Sequence, residues 1–422
     1  MKKKIKGLLC LLLALSMASA LCACGNGNDK ENSSSESSSA ESQSVSAESS
    51  VESSAELSSA SSSEESADQI KAAVPEEWQD KGIFSDYYEK AYEKMSAMTL
   101  EQKVGQVILA RYPSSDAYET AKKYYLGGYV LFWADLDEKT KDQIILQNDK
   151  YSQAHDIPMI MATDEEGGYV SRLSDHDMLD FEDFRSPREI FNEGGMDAIK
   201  DDALRKSQIM NNLRINTNLA PVCDICTGED KFMYDRSLGQ DADVTSTFVR
   251  EVTKISQENG VSVTLKHFPG YGNNEDTHTG IAVDNRNMET FESTDLKPFQ
   301  AGIDEGAHLV LVSHNIVNCM DPERPASLSP EVHKLLRDRM GFTGIIITDD
   351  LAMGAISEYS PDQSAVVTAF NAGNDMLCIS DIEDTYDNML AAVNDGTITT
   401  DSLDHAVMRV LAWKYAKGMI KD

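Results

Sequence analysis

Cysteine is scarce in this chain: 422 residues carry seven, and past the first 23 only Cys24, Cys223, Cys226, Cys319 and Cys378 remain. So few thiols in a chain of this size exclude a disulfide-built scaffold. Cys223-x-x-Cys226 stands without a second pair or a neighbouring histidine, so it reads as two semi-buried thiols after a strand rather than a redox or metal motif, and a surface disulfide stays open. Positive charge is also short. Lys and Arg number 38 against 71 Asp and Glu, a net charge of −33. The excess is not confined to one end, because residues 69–422 alone hold 61 acidic and 33 basic side chains, a net of −28. Such a field repels phosphate polymers and excludes nucleic acid as a partner. Beyond the N-terminal stretch no apolar run approaches the roughly 18 residues a membrane-spanning helix needs.

What is present begins with an export signal. Lys2, Lys3, Lys4 and Lys6 precede the apolar stretch Leu8 to Ala20, and small residues follow it. That order of basic, apolar and small residues describes a signal peptide over residues 1–23. Leu21-Cys22-Ala23-Cys24-Gly25 resembles the bacterial lipobox, which implies cleavage before Cys24 and acylation of its thiol; ordinary signal cleavage without a lipid is the alternative. From Ser33 to Ser66 the chain has 19 serines in 34 residues and no Lys or Arg. Such a segment cannot bury enough apolar surface to offset its chain entropy, so residues 24–74 read as a disordered linker. A flexible coil of about 45 residues spans roughly 35–40 Å, enough to hold a globular body off a membrane surface. The expected location is extracytoplasmic, with the membrane engaged through the lipid anchor only.

The folded body is expected over residues 75–422. Eight short apolar runs stand out in it: Val107 to Ala110, Tyr129 to Phe132, Pro158 to Ala162, Thr217 to Val222, Val261 to Leu265, Leu309 to Val312, Ile345 to Thr348 and Asp375 to Ile379. They are continuous rather than alternating, as strands buried on both faces are. Helical spacing fills segments between them, at 246–259, 295–305, 330–340 and 364–372. Eight such units predict a single α/β domain, a (β/α)8 TIM-type barrel, with an open doubly wound sheet as the competing fold.

The polar residues after these runs point to chemistry. Arg111, Asp164, Asp224, Lys266 with His267, Ser313 with His314, Asp349 with Asp350, and Ser380 with Asp381 all follow strand ends, which is the rim where parallel barrels build active sites. Helix caps account for Ser380, Asp381 and Asp350. They do not account for Lys266 and His267, because cations are poor partners for helix N-termini.

Five blocks carry a resemblance: D-E-E-G-G-Y-V-S-R at 164–172, N-L-A-P-V at 218–222, D-R-S-L-G at 235–239, K-H-F-P-G-Y-G followed by D-T-H at 266–278, and I-T-D-D-L-A-M-G-A at 347–355. In this order they resemble family 3 glycoside hydrolases, and in particular the single-domain β-N-acetylglucosaminidase branch. The resemblance implies Asp349 as the nucleophile, His278 as general acid/base and Asp276 as its partner. It further implies Asp164, Arg172, Arg236, Lys266 and His267 as ligands of the non-reducing sugar. No cofactor or metal is implied. Histidine suits the acid/base role because its ordinary pKa near 6.5 lets it donate and then accept a proton near neutrality. Taken alone, Asp276 and His278 would read as an Asx-turn with an exposed histidine; beside K-H-F-P-G the catalytic reading prevails.

Two-domain relatives draw their acid/base carboxylate from a C-terminal domain. Here about 40 residues follow the eighth run, so D-T-H is the proton donor expected. The substrates implied are N-acetylglucosaminides, and for an exported lipoprotein, cell-wall fragments. Two positions depart from the family: Tyr271 replaces a frequent His, and Tyr169 a frequent Arg. The long, charged stretch Cys226 to Tyr234 has no role assigned. Three rival readings fit the sequence less well. A solute-capturing lipoprotein would need two similar lobes, and a metal-dependent barrel hydrolase would need paired histidines after the first strand. Intact Asp349 and His278 argue against an inactive descendant.

Overall fold

Runs buried on both faces must pair with each other and be covered by helices, and the chain does so by closing them into a ring. The computed structural model describes residues 73–360 and 365–421. The expected signal peptide, the lipidated Cys24 and all but the last two residues of the expected linker lie outside the described residues. Val74 is already buried, and its carbonyl accepts from Gln79 Nε2 at 2.9 Å.

The strands are β1 (Ile108–Arg111), β2 (Gly128–Leu131), β3 (Ile160–Thr163), β4 (Thr217–Asn218), β5 (Ser262–Phe268), β6 (Val283–Asp284), β7 (Leu309–Val312), β8 (Ile316–Val317), β9 (Ile345–Thr348) and β10 (Leu377–Ile379). Eight of them pair in the order β10-β1-β2-β3-β4-β5-β7-β9, every pair parallel. The two ends meet. A parallel bridge joins Ile347 to Met376, and Thr348 N–H donates to the Met376 carbonyl at 3.3 Å. The fold is therefore the single eight-stranded barrel, and the open sheet is ruled out by this seam.

Each of the eight runs expected from sequence supplies one barrel strand. In β2, β3, β7 and β9 every residue is buried, which is why the runs lack polar alternation. Strand β4 is shorter than expected, ending at Asn218. Pro221, with no N–H to give the ladder, lies just beyond it; pairing resumes as a bridge from Val222 to Lys266. Strands β6 and β8 form a separate two-stranded parallel sheet that no periodicity announced.

The helices follow local signals. Asp241 caps the helix Ala242–Glu258 by accepting from Asp243 and Val244 N–H, and the helix buries Thr245, Phe248, Val249 and Ser256 along one stripe. Ser329 and Pro330 start the helix Pro330–Lys334, which continues as a π-helical turn over Leu335–Arg339. After β10 come the helices Ile382–Asn394 and Thr400–Ala416. The last one seals the N-terminal face of the barrel: Trp413 Nε1 donates to Ser262 Oγ at 3.2 Å, and Lys414 Nζ donates to Gln106 Oε1 at 2.8 Å and to the Gly127 carbonyl at 3.1 Å. The opposite face is left for the loops. Among the described residues no helix is long and apolar enough to cross a membrane.

Candidate active site

At the carboxyl ends of β3 and β5 a charge network forms because two carboxylates from one strand end meet cations from two others. Lys266 Nζ, 2 % exposed, donates to Asp164 Oδ1 at 2.7 Å and sits 2.7 Å from Glu166 Oε1. Arg236 grips the same Glu166 with two bonds, Nε to Oε2 at 2.9 Å and Nη2 to Oε1 at 2.7 Å. Burial pushes the Glu166 carboxyl up, but Arg236 and Lys266 outweigh it and hold the group well below the usual carboxylate range. Burial likewise pulls Lys266 down, and Asp164 and Glu166 reverse that and raise it. An ammonium has three donors, so Lys266 retains one for a bound hydroxyl.

Strand β5 shifts register between Leu265 and Phe268, the Lys266–His267 peptide is cis, and both side chains enter the site. The Arg236 guanidinium, a donor only, lies 3.1 Å from His267 Nε2, so that nitrogen accepts and Nδ1–H donates to Asp224 Oδ2 at 2.8 Å. Asp224 Oδ1 takes the Tyr271 N–H at 2.6 Å. Arg172 completes the cluster, 3.7 Å from Asp164 Oδ2 and stacked over Phe132 at 5.2 Å. Its loop is shaped by Glu165, whose Oε2 accepts from Ser171 Oγ, Arg172 N–H and Leu173 N–H. Burial raises the Glu165 carboxyl to about 7.

Asp349 follows β9 directly. Its N–H donates to the Val312 carbonyl at 3.1 Å, and its Oδ1 accepts from Asp350 N–H at 2.9 Å. Burial raises its carboxyl, yet the opposing pull of His314, His267, the Asp350 N–H and Lys266 is larger and keeps it below its ordinary value. His314 Nε2–H donates to the Asp350 carbonyl at 3.0 Å, its Nδ1 lies 2.8 Å from Ser327 Oγ, and burial pulls its pKa down.

The loop after β5 carries the expected acid/base pair. His278 Nδ1 is 2.6 Å from Asp276 Oδ1, and the His278 side chain is 57 % exposed. The loop docks on the segment after β9: Ala355 N–H donates to the Thr277 carbonyl at 3.1 Å, and Ile281 N–H to Glu358 Oε2 at 3.1 Å. Gly354 permits the approach, since a Cβ there would stand 2.7 Å from the His278 carbonyl oxygen. Asp349 and the loop share neighbours. The Tyr271 hydroxyl hydrogen-bonds Thr277, and burial together with the Asp349 charge pushes that hydroxyl up. His314 lies in the field of both Asp349 and His278.

The site thus joins an ionised buried carboxylate, a carboxylate-backed imidazole open to solvent, and a rim of alternating charges suited to sugar hydroxyls. Glycosyl hydrolase family 3, by its N-terminal domain, matches residues 99–413. The chain belongs to that family. It is 30 % identical over 302 residues to a β-hexosaminidase of Xylella fastidiosa, covering 70 % of this chain and 88 % of the relative. Among solved structures it resembles a family 3 β-N-acetylglucosaminidase from Paenibacillus at TM-score 0.72 and 29 % identity, over 77 % of this chain and 64 % of that one. It also resembles a β-N-acetylhexosaminidase from Beutenbergia cavernae at TM-score 0.68 and 26 % identity, over 76 % of this chain and 99 % of that one. The chain is a glycoside hydrolase.

The eight positions expected to act fall into two adjoining groups. Asp164, Arg172, Arg236, Lys266 and His267 make one network, and Asp276, His278 and Asp349 lie beside it, joined through Tyr271. Glu166 and Asp224 were not assigned a role from sequence, yet Glu166 is the hub of the network and Asp224 orients His267. Their signal was present in D-E-E-G-G and in the strand-end position of Asp224, but not the partners that give it meaning. Asp381 caps the helix Ile382–Asn394 as expected, whereas Ser380 donates to Asp350 Oδ2. Among the described residues no group of His, Cys, Asp and Glu is arranged to hold a metal ion.

Proposed function

We propose that this chain is a retaining β-N-acetylhexosaminidase that removes terminal, non-reducing β-N-acetylglucosamine. The observation that carries the reading is the docking of the Asp276–His278 loop, through Thr277, on the segment just past Asp349. In the first step an Asp349 oxygen bonds the anomeric carbon while His278 gives its Nε2 proton to the glycosidic oxygen, and the aglycone leaves as an alcohol. In the second, Nε2 takes a proton from water, the water oxygen bonds the same carbon, and the Asp349 ester breaks. Two inversions retain the β configuration. Asp276 holds Nδ1 and stabilises the imidazolium, which leaves Nε2 for the transfer. An acid/base open to solvent suits this task, because the aglycone must exit on its side.

Lys266, Arg172 and Asp164 bind the hydroxyls and amide of the sugar, with Arg236 and His267 behind them. The β-hexosaminidase relatives support the N-acetylated substrate class. The lipobox-like Cys24 and the serine-rich linker place the enzyme, in this reading, outside the cytoplasmic membrane on a lipid anchor, where cell-wall glycan fragments are its substrates. The purified body, residues 75–422, is expected to release chromophore from an aryl β-N-acetylglucosaminide much faster than from the matching β-glucoside. Equal rates on the two, or none on either, overturn the substrate assignment.

A further inference from the structure

The charged stretch after Cys226 has no part in the chemistry above, yet it touches the acid/base loop along its length. Asn273, midway between K-H-F-P-G and D-T-H, accepts at Oδ1 from Thr227 N–H and Gly228 N–H, both at 3.0 Å, and from the Cys226 thiol at 3.3 Å. Its Nδ2 donates to Thr227 Oγ1 at 3.3 Å. Lys231 pairs with Glu275 at 2.9 Å, next to Asp276. The Phe232 ring meets three groups: Tyr271 and His278, each at 5.9 Å between centroids, and the Arg236 guanidinium at 4.8 Å. Phe232 therefore spans from the Arg236 cation of the charge network to the proposed proton donor.

We propose that the stretch Cys226 to Tyr234 is a clasp, acting through Asn273 and Phe232, that positions the His278 loop beside Asp349 for proton transfer. The inference rests on the acid/base role proposed for His278. The contacts divide the labour. Thr277 is fixed from below by Tyr271 and by Ala355 N–H, but Asn273, Glu275 and the His278 ring lean on the clasp. Asp276 holds the imidazole at Nδ1 and the Phe232 ring meets it from the clasp, while the side chain is otherwise 57 % exposed, and proton transfer demands that Nε2 reach the glycosidic oxygen within hydrogen-bond distance. Asn273 and Phe232 are positioning residues, since neither carries the proton.

The test compares kcat/KM on two aryl β-N-acetylglucosaminides, one with a dinitrophenolate leaving group that departs without a proton and one with a poor leaving group that needs it. Phe232→Ala and Asn273→Ala are expected to lower kcat/KM on the poor leaving group by about 10-fold, part of the 10²–10⁴ that general acid catalysis supplies. On the activated substrate both stay within about 3-fold of wild type. Phe232→Tyr, which keeps the ring, restores the poor substrate. Equal losses on both substrates, or no loss on either, overturn the clasp. His278→Ala runs alongside: if it shows the leaving-group dependence and the clasp variants do not, only the clasp fails. If His278→Ala lacks that dependence, the acid/base role and the clasp fall together.

Discussion

Glu166→Gln is the perturbation that probes the charge network most sharply. Glu166 Oε1 lies 2.7 Å from both Lys266 Nζ and Arg236 Nη2, and Oε2 lies 2.9 Å from Arg236 Nε. An amide keeps the shape and loses the charge. Whichever way it is turned, its NH2 faces a cationic donor, so at least one contact becomes repulsive. The side chain is 1 % exposed, and water cannot replace what is lost. Removing one partner of a buried ion pair costs about 3–5 kcal/mol. At roughly 2 °C per kcal/mol for a body of this size, the melting midpoint should fall by 6–10 °C. Scanning calorimetry of wild type and variant reads this directly. The pH dependence adds a check. A carboxyl held low when folded stabilises fully above its unfolded pKa near 4.3 and loses that share as pH falls through the folded value. The gap between the two proteins should therefore stay constant from pH 8 to 5 and narrow only in stronger acid. A midpoint within 1–2 °C of wild type at pH 7 would refute the view that Glu166 is the hub.

Gly354→Ala places a methyl 2.7 Å from the His278 carbonyl and should displace the acid/base loop, lowering kcat/KM for poor leaving groups by about 10-fold; unchanged leaving-group dependence would contradict the docking. Lys414 is buried with no carboxylate partner among the described residues, and burial lowers it from 10.5 to about 7. Between those values the unfolded chain holds a proton that the folded chain releases, so stability should rise with pH across this window. Lys414→Met should flatten that rise and stabilise the protein at pH 7 by about 2–4 kcal/mol, less than the ~5 kcal/mol the shift itself represents, because Gln106 and Gly127 lose a donor. Urea titrations at pH 7 and pH 9.5 on both proteins measure it, and parallel pH dependence would sink the prediction.

The barrel was legible because its strands are buried on both faces and therefore read as unbroken apolar runs. Strand ends were less so. Leu219-Ala220-Pro221 looks like continuing strand, and its carbonyls do accept from Thr264 and Lys266, but the regular ladder ends at Asn218 and Pro221 has no N–H to extend it. The two-residue strands β6 and β8 are too short for any periodicity to register. In the site, the positions expected to be catalytic and sugar-binding stood out through five spaced blocks. Glu166 did not, since a carboxylate's place as a hub depends on Lys266 and Arg236 arriving from elsewhere in the chain. Cys226 to Tyr234 read as an idle charged loop for the same reason: Asn273, its main partner, lies more than 40 residues away in sequence.

In the proposed mechanism Asp349 takes the sugar covalently while His278 handles the proton. With His278→Ala and an activated aryl β-N-acetylglucosaminide, glycosylation proceeds but water activation is slowed, so the intermediate should accumulate behind a burst of released phenol. Acid quenching and peptide mapping by mass spectrometry should then find one N-acetylglucosamine residue esterified to Asp349, and none in the variant that also carries Asp349→Ala. A burst with the sugar on another residue, or full turnover with no adduct on Asp349, would contradict the account.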